Sequence, residues 1–162
     1  MQRETVRTTD TQTAALRRAR TCYDHLAGRL GVAVLTALVE QGALVRPAAP
    51  EHTHAYLLGP EAAPVFGRLG VDLDALLTRP ATARPLLRFC VDWSEHRHHL
   101  AGALGAAVLA RAETARWVVR RPTGRAVDVT DAGRRAFRDI LGIRAAAASP
   151  SPARPQKVGQ VL

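Results

Sequence analysis

The stretch HLAGRLGVAVL at residues 25–35 returns almost unchanged as HLAGALGAAVL at residues 99–109. The two stretches differ at only two positions, and each is followed by two short apolar runs and a further helix-like segment. Self-similarity at a fixed offset is the signature of a duplicated structural unit. The sequence therefore predicts two similar modules that pack as a pseudo-symmetric pair with a cleft between them.

The hydrophobic pattern predicts the same order of elements in each module. Apolar residues recur at intervals of three and four from Ala14 to about Gln41, and again from Leu86 to Val108, which indicates a long helix in each case. A two-stranded hairpin and another helix follow each of them, and Thr130 or Asp131 caps the last helix. The predicted fold class is α+β and helix-rich, with two tandem degenerate winged-helix modules related by an internal repeat.

Composition sets the predicted boundaries along the chain. We expect disordered tails at residues 1–13 and 145–162, a first winged-helix-like module at residues 14–78, a linker at residues 79–85 and a second module at residues 86–144. No segment approaches the roughly 18 consecutive apolar residues that span a membrane. The polar N-terminus is unlike a signal peptide, and two cysteines indicate a reducing compartment, so the expected location is cytoplasmic.

A net charge of +9 raises the question of nucleic acid as a partner. Lys157 is the only lysine among 23 basic residues, which is typical of a high-GC coding bias rather than of selection for phosphate contacts. The nucleic-acid candidates lie around the second hairpin and the helix after it: Arg120, Arg121, Arg125, Arg134 and Arg135. The first hairpin carries Glu51, His52 and His54 instead, and a solvated arginine face is the alternative interpretation.

Ionisable residues flank both repeated stretches. Cys22 and His25 are three apart, and Asp92, Glu95 and His99 stand at i, i+3 and i+7, so each set is predicted to share one helix face. Converging carboxylates and imidazoles are suited to metal binding or to acid–base catalysis. The alternative is that Asp92, Glu95 and His96 form a solvated face, while His25 and His99 cap helices or bond to the backbone.

The metal signal is weak in this sequence. It contains no HxxxH or CxxC spacing with a matching second half, so we expect no metal and no cofactor. The candidate ligands, if a metal binds, are Cys22, His25 and His99. Cys22 and Cys90 are otherwise interpreted as small buried apolar residues.

The favoured binding site is the cleft between the modules. Tyr23 and Trp93 stand at matched positions and are predicted to grip an organic ligand. The residues predicted to orient it are Asp24, His25, Asp92, Glu95, Arg97 and His99. Simple core filling is the alternative for the two aromatic residues.

Each repeated stretch contains two glycines, which are costly inside a helix. They indicate close helix–helix approach between the modules, and they are Gly28, Gly31, Gly102 and Gly105.

Three segments together resemble a known family: RTCYDHLAGRLGV at residues 20–32, CVDWSEHRHHLAGALGAAVL at residues 90–109 and RAVDVTDAGRRAF at residues 125–137. They resemble the C-terminal half of certain bacterial ArsR-type winged-helix transcription regulators, over roughly residues 14–142. The resemblance implies the effector-binding and dimerisation part of such a regulator, without the N-terminal DNA-binding domain.

These observations favour a small-molecule-binding regulatory module. Its expected partners are a small organic molecule, a second copy or a partner regulator, and weakly bound DNA, but no membrane. The first alternative is a small enzyme such as a cyclase, isomerase or dehydratase, in which Asp92, Glu95 and His99 act as catalytic acid and base. The second alternative is a DNA-associated accessory protein.

Overall fold

Six helices and four short antiparallel hairpins make up residues 2–47 and 56–144, the part of the chain that the computed structural model describes. The mixture of helices and small antiparallel sheets confirms the predicted combination of α and β structure. In chain order the elements are α1 (Gln2–Arg18), β1 (Arg20–Cys22), β2 (His25–Ala27), α2 (Gly28–Glu40), β3 (Leu44–Val45), β4 (Leu57–Leu58), α3 (Ala62–Leu69), α4 (Leu73–Leu77), β5 (Arg88–Val91), β6 (His98–Ala101), α5 (Gly102–Thr114), β7 (Val118–Arg120), β8 (Val127–Val129) and α6 (Asp131–Leu141).

The order hairpin, helix, hairpin, helix occurs twice. β1–β2, α2, β3–β4 and α3 form the first half, and β5–β6, α5, β7–β8 and α6 form the second half, with α4 between them. The first hairpin of each half pairs a cysteine with a histidine across its strands, Cys22 with His25 and Cys90 with His99. The two halves therefore place the same residue pair at the same point of the same element.

The long helices predicted from Ala14 and from Leu86 are wrong. In the first half, α1 ends at Arg18, a hairpin follows, and α2 begins only at Gly28. Tyr23 in the hairpin turn has a φ of 57° and Gly28 has a φ of 74°, and a right-handed helix does not continue through left-handed residues. The stripe beginning at Leu86 fails in the same way, because β5 and β6 interrupt it.

The N-terminal boundary also needs correction. Residues 1–13 were predicted to be a disordered tail, whereas residues 2–13 form most of the helix α1. The polar composition of this segment misled the prediction, since a helix can form from polar residues without a strong apolar stripe. The predicted tail at residues 145–162 lies outside the described residues.

The two halves share one hydrophobic core. α2 packs against β6 of the second half, and α5 packs against β2 of the first half. Leu38 of α2, Phe66 of α3, Leu104 of α5 and Phe137 of α6 are fully buried in the same cluster. Direct packing therefore fills the centre of the predicted cleft between the modules. None of the described helices has both the length and the apolar character needed to cross a bilayer.

The predicted cap at Thr130 is confirmed, and a second side-chain cap begins α4. Thr130 precedes α6, and its Oγ1 accepts a hydrogen bond from the Gly133 amide at 3.0 Å. Asp72 precedes the single turn α4, and its Oδ1 accepts a hydrogen bond from the Ala75 amide at 2.9 Å. Both side chains satisfy amides that a helix leaves without a partner in its first turn.

Gly31 and Gly105 allow each helix to lie against both hairpins. A Cβ atom on Gly31 would lie 2.4 Å from the Leu26 carbonyl oxygen and 3.4 Å from the Cβ of His99. A Cβ atom on Gly105 would lie 2.7 Å from the Leu100 carbonyl oxygen and 3.2 Å from the Cβ of His25. The close approach at these two positions joins a helix to the hairpins, not the two helices to each other as the sequence predicted.

Replacement of Gly31 by alanine should destabilise the protein. The added methyl group would meet a backbone carbonyl that cannot move freely, and we expect a loss of about 1–3 kcal/mol in the free energy of unfolding. Gly67→Ala is the matched control, since a Cβ at Gly67 in α3 meets nothing within 4 Å, and this change should stabilise by about 0.4–1 kcal/mol. Urea unfolding followed by circular dichroism measures both changes. Equal effects would contradict the proposed close approach.

Candidate functional site

The hairpins β1–β2 and β5–β6 bring four potential metal-binding side chains together. The ligand atoms of Cys22, His25, Cys90 and His99 all lie within 4.8 Å of one another. His25 and His99 are 4% and 1% exposed, whereas both cysteines are half-buried and free of disulfide bonds. We call these four residues the Cys–His cluster.

The two imidazole rings face each other through the same atom. Nε2 of His25 lies 3.2 Å from Nε2 of His99, and the ring centroids are 5.1 Å apart. At the other side of each ring, Nδ1 of His25 lies 3.3 Å from Asp24 Oδ1, and Nδ1 of His99 lies 3.1 Å from Asp92 Oδ2. Each histidine is therefore held between a carboxylate and the centre of the cluster. The Asp92–His99 contact is close, although it lacks the alignment of a good hydrogen bond.

Burial keeps the imidazoles neutral. Removal from water lowers the pKa of His99 to about 4, and the neighbouring His25 contributes further to this shift. Burial also lowers the pKa of His25 below its ordinary value. The pKa of the Cys90 thiol is raised, first by burial and then by the nearby Cys22. At neutral pH the histidines therefore offer neutral nitrogen atoms as ligands.

Asp92 is the most heavily bonded group in this region. Its Oδ2 accepts hydrogen bonds from Nη2 of Arg20 at 2.8 Å and from the Gly28 amide at 2.7 Å. Its Oδ1 accepts from the amide and the hydroxyl of Ser94 and from the Glu95 amide. Asp92 and Arg20 are 0% and 1% exposed, so this ion pair is buried.

Hydrogen bonds determine the charge of Asp92. Burial by itself would raise the pKa of this carboxyl, but the bonds from Ser94, Arg20 and Gly28 outweigh burial and hold the pKa well below its usual range. The carboxylate is therefore a permanent negative charge that joins the turn of one hairpin to the strand β1 and to the first residue of α2. Trp93 adds to this contact, since its ring lies 4.6 Å from the Arg20 guanidinium carbon.

A second ion pair lies behind His25. Asp24 accepts hydrogen bonds from Arg84, in the segment between α4 and β5, and these bonds hold the pKa of the Asp24 carboxyl below its usual range. Asp24 is partly exposed, so this pair is accessible to solvent. Arg84 thus fixes the carboxylate that orients His25.

The structure separates the residues predicted to bind an organic ligand. The Tyr23 side chain is 87% exposed in its turn. The Trp93 side chain is 49% exposed, and its ring lies against the Arg20 guanidinium group. The two rings therefore do not form the walls of one pocket. Glu95 and Arg97 line an open depression of about 360 Å³ beside α2, where Arg97 reaches Thr36. The other four predicted residues, Asp24, His25, Asp92 and His99, gather at the Cys–His cluster.

The predicted catalytic set is divided in the same way. Asp92 and His99 are in contact, whereas the Glu95 carboxylate lies 3.6 Å from Nε of Arg29, in the open depression. These residues do not share a helix face as predicted, because His99 lies on β6 and the other two lie in the turn before it.

Three of the five arginines proposed for nucleic acid already form ion pairs. Arg120 contacts Glu113, Arg121 contacts Asp128, and Arg134 contacts Asp131. Arg125 and Arg135 are exposed. The residues of the first hairpin that were contrasted with them, Glu51, His52 and His54, lie outside the described residues.

Sequence reasoning missed Cys90 and Arg20. The sequence pattern predicts core packing for Cys90 and places Arg20 within a continuous helix. The available signal was the Cys-x-x-His spacing at residues 22–25, which places both side chains at one rung of a tight hairpin. The partner pair, Cys90 and His99, is separated by a longer turn and has no such spacing.

Comparison with known proteins gives one informative match. Over 126 residues the chain is 40% identical to a protein of Bacillus subtilis (strain 168) described as the uncharacterized HTH-type transcriptional regulator YdfF. This chain is related to a bacterial transcription regulator. The match covers 78% of this chain and 52% of that protein, so the chain spans about half the length of the curated relative.

Other comparisons add nothing to this relationship. No known protein-family profile matches the chain, and no solved structure matches it. The match to YdfF supports the transcription-regulator part of the resemblance, while the ArsR assignment stays a prediction.

Replacement of Asp92 by asparagine should be strongly destabilising. The change leaves the buried Arg20 charge without its partner, and breaking a buried pair in this way costs about 3–5 kcal/mol. Asp128→Asn is the matched control, since Asp128 pairs with Arg121 at the surface and should cost less than about 1 kcal/mol. Chemical unfolding of both variants provides the test. A loss at Asp92 no larger than at Asp128 would contradict its role in joining the hairpins.

Proposed function

We propose that this chain is the regulatory part of a transcription regulator, which receives a signal and passes it to a DNA-reading part. The observation that carries the proposal is the 40% identity to an HTH-type transcriptional regulator over 126 residues. The proposal includes association with a second copy or with a partner regulator, because helix-turn-helix proteins commonly bind two half-sites as dimers.

The packing of the two halves supports a signalling role. β2 contacts β6, and each hairpin also packs on the helix of the opposite half. Asp92 bonds to both β1 and the start of α2, so a displacement of its turn would move elements of both halves. A structural change at the Cys–His cluster would therefore displace elements of both halves, as a regulatory switch requires.

The depression beside α2 is the proposed place for an organic effector. Glu95 and Arg97 offer opposite charges there, while Val32, Ala33 and Ile143 offer apolar surface. This combination suits a small amphipathic molecule with at least one charged group. The proposed contacts differ from those expected from the sequence, since Tyr23 and Trp93 take no part in them.

The enzyme alternative has less support. Both oxygens of Asp92 accept hydrogen bonds, and its pKa is held low, so it is suited to a fixed acceptor rather than to a proton donor. The alternative of a DNA-associated accessory protein is weakened by the ion pairs of Arg120, Arg121 and Arg134, which already balance part of the arginine charge.

Deletion of the gene for this chain should change the transcript levels of a limited set of genes, because loss of a regulatory part alters regulator activity. Transcript profiling of the deletion strain measures this change, and expression of the wild-type chain should restore the original levels. Expression of the Asp92→Asn chain should fail to restore them. An unchanged profile would contradict the proposal, whereas equal rescue by both chains would contradict only the role given to Asp92.

A further inference from the structure

We propose that Cys22, His25, Cys90 and His99 bind one divalent cation of the zinc type, in a tetrahedral site that links the two hairpins. The inference concerns metal binding by these residues and stands independently of the proposed function. It rests on the donor set, on the distance between the histidine nitrogens and on the carboxylates behind both rings.

The donor set is the first argument. Two thiolates and two imidazole nitrogens form a complete ligand shell for Zn²⁺, which prefers four nitrogen or sulfur ligands in tetrahedral geometry. The four ligand atoms lie within 4.8 Å of one another before any metal is added. Two ligands come from each hairpin, in cross-strand pairs of one cysteine and one histidine. Both cysteines are only half-buried, so the cluster is partly open to solvent on their side.

The distance between the histidines is the second argument. Zn–N bonds of about 2.0–2.1 Å in a tetrahedral site separate two ligand nitrogens by about 3.3–3.4 Å. The Nε2 atoms of His25 and His99 are 3.2 Å apart. One ion could therefore bind both nitrogens after a shift of only a few tenths of an ångström.

The carboxylates behind the rings are the third argument. Histidines that bind metals usually donate their other N–H to a carboxylate or a carbonyl oxygen, which fixes the tautomer and the ring orientation. Nδ1 of His25 is within hydrogen-bond distance of Asp24, whereas Nδ1 of His99 lies 3.1 Å from Asp92 without the alignment of a hydrogen bond. Protonation of both Nδ1 atoms leaves both Nε2 lone pairs directed at one another. Such an arrangement is repulsive without a cation between the rings, and a bound metal removes the repulsion.

Two other arrangements would use the same atoms. One is a hydrogen bond between the histidines, which requires one ring to carry its proton on Nε2 and leaves the unprotonated Nδ1 of that ring facing a carboxylate. The other is a disulfide bond between Cys22 and Cys90, which would remove both thiolate ligands. Neither accounts for the matched carboxylate–histidine pairs on the two hairpins.

Metal titration of the full chain tests the proposal directly. Chelator-treated protein, kept reduced, should bind one Co²⁺ per chain, with thiolate-to-cobalt charge-transfer absorption and the visible bands of a tetrahedral site. One equivalent of Zn²⁺ should displace the cobalt and abolish these bands. Elemental analysis of the zinc-loaded protein gives the stoichiometry, and the melting temperature should rise on loading, because the metal binds the folded state.

Variants identify the ligands. Cys22→Ser and Cys90→Ser should each remove charge-transfer intensity and weaken zinc binding. Asp24→Asn keeps all four ligands and should weaken it by only about 10–100-fold, as expected for a carboxylate that orients a ligating histidine. His96→Asn is the control, since His96 is exposed in the turn with a φ of 53°, a conformation that asparagine accepts. This variant should bind zinc like the wild type.

Specific results would overturn the proposal. They are failure of the reduced wild-type chain to bind either metal, zinc affinity unchanged in both serine variants, and cobalt spectra without thiolate charge transfer. The wild-type titration keeps the test decisive even if a serine variant fails to fold. A negative result here would leave the transcript profile of the deletion strain unaffected, so the two proposals fail separately.

Discussion

The buried ion pair between Asp92 and Arg20 is the contact on which the rest of the structure depends. It crosses from the turn of the second half to the first strand of the first half, and the same carboxylate caps the start of α2 through the Gly28 amide. A buried charge is costly unless it is fully bonded, and Asp92 meets this condition with donors on both oxygens. The two hairpins are therefore fixed relative to each other with little freedom.

The fixed hairpins determine the positions of the four side chains in the Cys–His cluster. Gly31 and Gly105 allow each helix to approach the hairpin of the opposite half, so that His25 and His99 meet with their Nε2 atoms facing. Asp24, held by Arg84, and Asp92, held by Arg20, set the orientation of the two rings. Because both halves contribute side chains to the cluster, a metal or another ligand bound there would contact both halves at once.

Sequence reasoning was most accurate for local features. The cap at Thr130 and the hairpins β3–β4 and β7–β8 depend on neighbouring residues, and all were predicted correctly. The hairpins at residues 20–27 and 88–101 were missed, because their apolar residues happen to recur at helical intervals. Periodicity cannot register a turn that is made by a left-handed residue such as Tyr23.

The sequence by itself determined the recurrence of like segments, the α+β composition and most residues of the polar centre, because these follow from residue types and their spacing. Only the tertiary structure decided how they meet. It placed Cys90 beside Cys22, moved Glu95 away from His99 and filled the centre of the expected cleft with packed side chains. The physical reason is that contacts between residues 60 to 74 positions apart depend on how two hairpins cross, which no local pattern encodes.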